Sequence, residues 1–327
     1  MRVIRWGMIG CGEVAEVKSG PGFEKANNST LIAVMRRNSN LAKDYAVRHN
    51  VPKWYDDADE LINDPEVDAV YIATPPVSHK EYTIRCAKAG KPVYVEKPMA
   101  LSYNDCQLMI QECEKVNVPL YVAFYRRALP QFIKVKELIE SGIIGDVRFV
   151  TVRHFEKPHQ EEIEGKNLPW RVIPEISGGG KFLDMGCHTL DILDYILGPI
   201  KEAKGSIDNQ AQLYKADDIV TGNFVFESGV QGIGVWCFSA FENYEMNEII
   251  GSKGKIEFST FSSEPVVLTT EEKITKFPIE NPKHIQQPLI QTVVNELNGE
   301  SKCPSSGKSA ARTSWVIDQI VKNYYKK

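Results

Sequence analysis

Glu96-Lys97-Pro98-Met99 follows a short apolar run, Pro92–Val95, and so stands a lysine at the carboxyl end of a strand, where open α/β sheets collect their ligands. An ammonium in that position can stabilise a developing alkoxide. An X-Pro bond turns cis at modest cost, which is one way to fix the direction of Lys97. Further along, Gly178-Gly179-Gly180-Lys181-Phe182-Leu183-Asp184-Met185-Gly186-Cys187-His188 puts Asp184 and His188 four apart, on one face of a helix. The imidazole titrates near neutrality and the carboxylate can orient or tune it, a pair suited to proton transfer. Asp and His are also metal ligands by type, or the pair is merely structural. No third Cys, His or carboxylate stands at a supporting spacing, so no metal is expected.

The start of the chain supplies a place for a nucleotide coenzyme. Gly10-Cys11-Gly12-Glu13-Val14-Ala15 lies between a predicted strand and a predicted helix, the context of a dinucleotide-binding turn. Gly10 permits the tight turn, Gly12 leaves room for a pyrophosphate, and Ala15 allows the helix to pack closely. Helix-end amides then hold the phosphates. The second strand ends Met35-Arg36-Arg37-Asn38, without the acid that would accept the ribose hydroxyls of NAD. Two guanidiniums suit a 2′-phosphate, so NADP is the expected coenzyme, with NAD as the alternative. Two solvated arginines on a loop are the competing reading. Thr74-Pro75-Pro76 closes the strand Ala69–Ala73. With Cys11, Glu13, Val14, His79, Glu96 and Lys97 it completes the expected coenzyme-facing set.

The elements that must position these groups follow from periodicity. At 327 residues the chain favours two domains. From Val3 to Val122, apolar runs at Val3–Ile9, Leu31–Met35, Ala69–Ala73, Pro92–Val95 and Leu120–Ala123 alternate with helix candidates at Leu41–Asn50, His79–Ala89 and Tyr103–Asn117, the pattern of a parallel sheet covered by helices. Ser102 with Asp105 reads as a helix cap. Gly20-Pro21-Gly22 should break or restart the first helix. Beyond residue 124 come a helix near Gln131–Ser141, an extended run Val147–Phe155, an irregular polar stretch to Ser177, and a helix ended by Gly198-Pro199. Strand signals then recur as far as Leu268, with hairpin turns at Glu227-Ser228-Gly229 and Ser252-Lys253-Gly254, before closing helices near Ile285–Leu297 and Lys308–Tyr325. The fold class is α/β followed by α+β: a Rossmann domain over 1–123 and a substrate-binding and dimerisation domain over 124–327, built on a large, mainly antiparallel open sheet.

Composition narrows the function classes. Hydrophobic residues at 43%, charged residues at 25% and a net charge of −4 describe an ordinary globular protein without a polybasic face, so nucleic acid and membrane are not expected partners. Seven scattered cysteines without a Cys-x-x-Cys spacing argue for a reduced setting, and the N-terminus lacks signal-peptide character, so the cytoplasm is the expected location.

Gly10-x-Gly12-x-x-Ala15, Glu96-Lys97-Pro98, and Gly178–Gly180 through Asp184-x-x-x-His188-x-x-Asp191, in this order and spacing, resemble the Gfo/Idh/MocA oxidoreductases over essentially the whole chain. The resemblance implies a dimer or dimer of dimers joined through the open sheet. It implies that Lys97 contacts the substrate hydroxyl and the nicotinamide, that His188 is the general acid/base, and that Asp184 binds substrate or orients its neighbour. Trp170-Arg171 looks like the pair that reaches the coenzyme in NADP-dependent members. Arg126, Arg127, His154, and His284 or Gln286 are candidate substrate contacts. The expected reaction passes hydride between nicotinamide and a secondary alcohol or ketone of a sugar or polyol. Two other readings are a glycoside-cleaving enzyme that retains its nicotinamide and oxidises the sugar transiently, and a non-catalytic nucleotide sensor, whose mark would be loss of the lysine or histidine. The double arginine and the Gly20-Pro21-Gly22 interruption depart from the usual family pattern.

Overall fold

The computed structural model describes residues 1–12 and 14–325. The chain forms two compact units, one made of Met1–Leu129 with Pro282–Ala311, the other of Pro130–Asn281 with the chain from Arg312 onward.

The first unit holds a six-stranded parallel sheet of β1 (Ile4–Ile9), β2 (Ser29–Met35), β3 (Lys53–Tyr55), β4 (Ala69–Ile72), β5 (Val93–Val95) and β6 (Leu120–Val122), in the order β3-β2-β1-β4-β5-β6. β1, β4, β5 and β6 are almost entirely buried, as parallel strands covered on both faces must be. Their apolar runs are therefore continuous rather than alternating. Winding reverses between β1 and β4, which creates a ligand-facing switch point beyond their carboxyl ends. Trp6, Tyr71 and Tyr94 from neighbouring strands pack with Phe23 at ring separations of 4.9 to 6.4 Å.

Gly20-Pro21-Gly22 restarts the first helix rather than breaking it. Ala15–Ser19 is wound as a π-helix, the Gly20 amide bonds back to the Ala15 carbonyl, and Gly20–Lys25 continues as α-helix. The wide turn absorbs the hydrogen bond that Pro21 cannot donate. Gly20 is required there, since a Cβ would lie 2.4 Å from both the Ala15 carbonyl and the Tyr45 hydroxyl. Ser102 caps Tyr103–Lys115 by accepting from the Asp105 amide. Two short elements escape the periodicity: β3, only three residues long, and the helix Ala58–Asn63.

Residues 282–311 return to this unit because the helix Gln287–Leu297 presents a fully apolar face. Leu289, Ile290, Val293 and Val294 are all buried, and Ile290 packs against Gly22, where an added Cβ would lie 2.8 Å from its Cδ1.

The second unit is built on eight strands: β7 (Val147–Phe155), β8 (Ile200–Asp208), β9 (Ile219–Phe226), β10 (Gln231–Cys237), β11 (Tyr244–Gly251), β12 (Gly254–Phe258), β13 (Val266–Thr270) and β14 (Ile274–Phe277), ordered β14-β13-β12-β11-β7-β10-β9-β8. All pairs are antiparallel except β7 with β10. One face buries Val150, Val152, Trp236, Ile249 and Phe224, while the other presents Phe149 and Ile233 to solvent. The strands alternate accordingly. No helix among the described residues is long and apolar enough to cross a membrane.

Ile290→Ala would empty a fully buried site in the return segment, at a cost of about 2–4 kcal/mol. A urea titration of the whole chain should show that loss as a lower midpoint with unchanged slope.

Candidate active site

In the first unit, the glycine turn is shaped by what surrounds it. Gly10 has φ +96°, and a Cβ there would lie 2.9 Å from the Ala73 carbonyl group and the Thr74 side chain, so only glycine lets β1 run this close to the end of β4. Gly12 is the opposite case: nothing lies within 4 Å of its virtual Cβ. That open space is what a pyrophosphate needs. Ala15 is fully buried, and Cys11 is buried beside the turn. Burial pushes the Cys11 thiol up to about 11, with the Arg36 charge opposing, and the Gly10 amide donates to the Met35 carbonyl at 2.9 Å, which sets the end of β2, just before Arg36, against the turn. Arg36 and Arg37 are both exposed. Asn38, by contrast, is spent on capping the helix Ser39–His49, where it accepts from the Leu41 amide. Glu13, also expected to face the coenzyme, lies outside the described residues.

Lys97 sits between two anchors. Glu96 is buried, and its Oε1 accepts from the Tyr71 hydroxyl at 2.6 Å and the Gln286 amide at 2.8 Å, while Oε2 accepts from the Lys97 amide at 3.2 Å. The Lys97–Pro98 peptide is cis. His79 is fully buried, with Nδ1 3.0 Å from the Pro98 carbonyl and Nε2 2.7 Å from that of Thr74. Burial lowers the imidazole's pKa, and a neutral ring donates to only one of the two. Grouped in the sequence with the coenzyme contacts, His79 is instead buried between the Thr74 and Pro98 carbonyls and donates to one of them. Gln286, buried, reaches Glu96, whereas His284 is half-buried and its carbonyl accepts from the Gln287 amide. Arg126 stacks over Tyr125 at 4.9 Å and bonds its hydroxyl. Arg127 donates to the Pro304 carbonyl and the Ser309 hydroxyl, which turns it toward the return segment.

In the second unit, Asp184 and His188 lie on one helical stretch, Phe182–Gly186 wound as π-helix and Cys187–Leu197 as α-helix. Gly186 permits the wide turn, since a Cβ would lie 2.5 Å from the Phe182 ring. Both functional side chains are buried. Asp184 Oδ2 accepts from Arg171 Nε at 2.9 Å, and that guanidinium stacks on Trp170 at 4.7 Å. Arg171, of the pair expected to reach the coenzyme, therefore meets the Asp184 carboxylate. The His188 ring lies 5.9 Å from Phe261, which also packs on His154 at 5.0 Å. The Phe261 loop is held by Glu245, whose carboxylate accepts from the Thr260 amide and the Ser259 hydroxyl.

His154 is buried, with Nε2 2.9 Å from Glu156 Oε1. Burial works to raise the Glu156 carboxyl, but His154 and Lys181 outweigh it and hold it low. Lys181, also buried, forms an ion pair with Glu162 at 2.8 Å, tying the irregular stretch after β7 to the start of the helix that carries Asp184 and His188. Neither Glu156, Glu162 nor Arg171's pairing with Asp184 carries a local motif. The one available signal is Lys181 itself, a charge at the head of an apolar helix. Among the described residues no three His, Cys, Asp or Glu side chains are placed to hold a metal ion.

Comparison with known proteins gives a consistent result. The pattern of the oxidoreductase family with an NAD-binding Rossmann fold matches residues 4–124, and that of the Gfo/Idh/MocA C-terminal domain matches residues 132–257. A Formosa agariphila protein named oxidoreductase P35 is 40% identical over 315 residues, covering 96% of this chain and 97% of that one. The myo-inositol 2-dehydrogenase of Thermotoga maritima is 34% identical over 82% of this chain and 79% of its own. Among solved structures, an aldose-aldose oxidoreductase from Caulobacter crescentus complexed with glycerol superposes with a TM-score of 0.85 at 26% identity, covering 98% of this chain and 97% of that chain.

Glu96→Leu would leave the Tyr71 hydroxyl and the Gln286 amide buried without an acceptor, at about 1–3 kcal/mol for each donor. Chemical denaturation should show the combined loss, and Tyr71→Phe, which removes one donor only, should cost less.

Proposed function

The chain belongs to the Gfo/Idh/MocA family of oxidoreductases, and from that premise we propose that it passes hydride between a nicotinamide coenzyme and a secondary carbinol or ketone of a sugar or polyol. The observation that carries this reading is the three-donor anchorage of Glu96, which holds the backbone of Lys97 at a strand end where a ligand is expected. The substrate class follows the relatives, one named for myo-inositol and one for aldoses. The nicotinamide, when bound, supplies the hydride acceptor or donor at C4. His188 takes the hydroxyl proton in the oxidation and returns it in the reduction. Lys97 holds the alkoxide charge that develops meanwhile. Asp184 fixes the polar end of the His188 helix through Arg171, and Arg126 is a further substrate contact.

The turn at Gly10–Gly12 fits a pyrophosphate, since the space beside Gly12 is open. Arg36 and Arg37 give the coenzyme preference: both are exposed at the end of β2, and Arg36 lies near the glycine turn. We assign the chain to NADP(H) on that ground, with NAD(H) bound more weakly. The exposed face of the eight-stranded sheet, with Phe149 and Ile233, is the surface on which a homodimer would form, and the cytoplasm is the compartment.

Lys97→Met and His188→Ala should each lower kcat/KM by about 10²-fold or more in NADP-linked turnover of sugars and keto-sugars, and turnover within a few-fold of wild type would overturn the mechanism. Release of product sugar without net coenzyme turnover would favour the transient-oxidation reading instead.

Arg36→Ala/Arg37→Ala should weaken NADPH by about 10- to 100-fold, the worth of charge-assisted bonds, and leave NADH within two-fold. Energy transfer from tryptophan to the reduced nicotinamide reads both.

A further inference from the structure

A closed set of hydrogen bonds in the second unit reaches the triple glycine from residues with no part in the chemistry above. Asp217, just before β9, is 1% exposed. Its Oδ1 accepts from the Gly180 amide at 2.8 Å and from the Tyr325 hydroxyl at 2.7 Å, and that hydroxyl accepts in turn from the Asp217 amide at 2.9 Å. Oδ2 has no partner among the described residues. A buried carboxylate with one oxygen unpaired is costly, so its place in the structure asks for a compensating role.

The fit around it is close. A Cβ on Gly180 would lie 2.5 Å from Asp217 Oδ1 and 2.6 Å from its carbonyl oxygen, and a Cβ on Gly179 would lie 3.4 Å from the Tyr325 ring. Gly178 has φ +85°, which favours glycine for its own reason. The third glycine is thus needed so that the Gly180 amide can reach the carboxylate. Lys181, the residue after it, begins the stretch that carries Asp184 and His188.

We propose that Asp217 and Tyr325 are positioning residues that clamp the Gly178–Gly180 turn and, through it, set the placement of Asp184 and His188. The proposal rests on the assignment of His188 as the acid/base. Asp217 acts through backbone, so a side chain that keeps an acceptor at Oδ1 keeps the clamp. Asparagine does so, and its amide nitrogen takes the site of the unpartnered oxygen.

Titration offers a second readout. The titratable groups facing Asp217 are Asp218 beside it, Tyr214 from the preceding loop, and Tyr324 and Tyr325 beyond the last helix, which spans Gly307–Val321 rather than running to Tyr325. Burial pushes the Asp217 carboxyl up to about 6, with the Tyr325 and Gly180 hydrogen bonds opposing and the Asp218 charge adding. A carboxyl whose folded pKa lies above its unfolded one weighs against the folded state once ionised. The deficit is full above about pH 6 and vanishes as pH falls below about 4.

The test compares Asp217→Ala, Asp217→Asn, Tyr325→Phe and His188→Ala in the full chain, with kcat and KM for a sugar substrate, NADPH affinity by fluorescence, and melting temperature from pH 4 to 8. The clamp predicts that Asp217→Ala and Tyr325→Phe lower kcat by about ten-fold or more with NADPH affinity within two-fold of wild type. It predicts that Asp217→Asn stays within a few-fold in kcat and melts above wild type at pH 7 to 8, the difference closing by pH 4. Wild-type kcat in Tyr325→Phe and in folded Asp217→Ala, with His188→Ala inactive, overturns the clamp and leaves the acid/base assignment standing. If Asp217→Ala does not fold, Tyr325→Phe decides alone. An active His188→Ala overturns both.

Discussion

A single buried carboxylate organises the first unit. Glu96 gathers a hydroxyl from β4, a side-chain amide from the return segment and the main-chain amide of the residue that follows it. The two side-chain donors lie at 2.6 and 2.8 Å and the amide at 3.2 Å, and a neutral glutamine, with one acceptor oxygen, could not accept on both sides as the carboxylate does. The Trp6, Phe23, Tyr71 and Tyr94 rings behind it matter for the same reason, since their packing fixes the direction of the Tyr71 hydroxyl. On the far side of Lys97, the buried His79 ring lies against the Pro98 carbonyl, with Nδ1 3.0 Å away. The Lys97 backbone is therefore held by Glu96 on one side and bounded by the buried His79 ring on the other.

The second unit solves a different problem, that of the Asp184–His188 helix, which is crowded with buried polar groups. Lys181 is matched by Glu162, Asp184 by Arg171, Asp191 by the Thr313 hydroxyl, and Asp194 by a two-pronged contact from Arg312. The partners come from three segments: Glu162 from Gln160–Glu164, Arg171 from Trp170–Val172, and Arg312 with Thr313 from the helix Gly307–Val321. A buried charge lacking its counterpart would shift its pKa or unfold the site, so these pairings fix the helix rotation and with it the direction of His188. The wide π-turn at its head, made possible by Gly186, adds a residue to the helix without breaking it.

Much of this was legible in the residues. The parallel strands show as continuous apolar runs because both faces are buried, and β7, β9 and β10 show by alternation because one face is wet. The glycine turn, Lys97, Asp184 and His188 announce themselves because each is a local pattern within a dozen residues. What escaped lacks any local period: β3 with three residues, the polar edge strand β14, and the π-wound start of the first helix, where proline signalled a break or restart but not the wider turn. The partners of the site escaped for a related reason. Gln286 lies 190 positions from Glu96, and Arg312 lies 118 from Asp194. Separations of that size leave no trace in a window of sequence.

The return of residues 282–311 to the first unit bears on the order of events during synthesis. A ribosome releases the whole six-stranded sheet before any of the helix Gln287–Leu297 exists, so the sheet emerges with the face over Gly22 bare and the Glu96 carboxylate short of one donor. The second unit is almost wholly translated before that helix arrives. The nucleotide-binding half, first to leave the ribosome, is thus among the last to be completed. Its early form must tolerate an exposed apolar strip for most of the time the chain takes to be made, a period in which chaperones have reason to bind it.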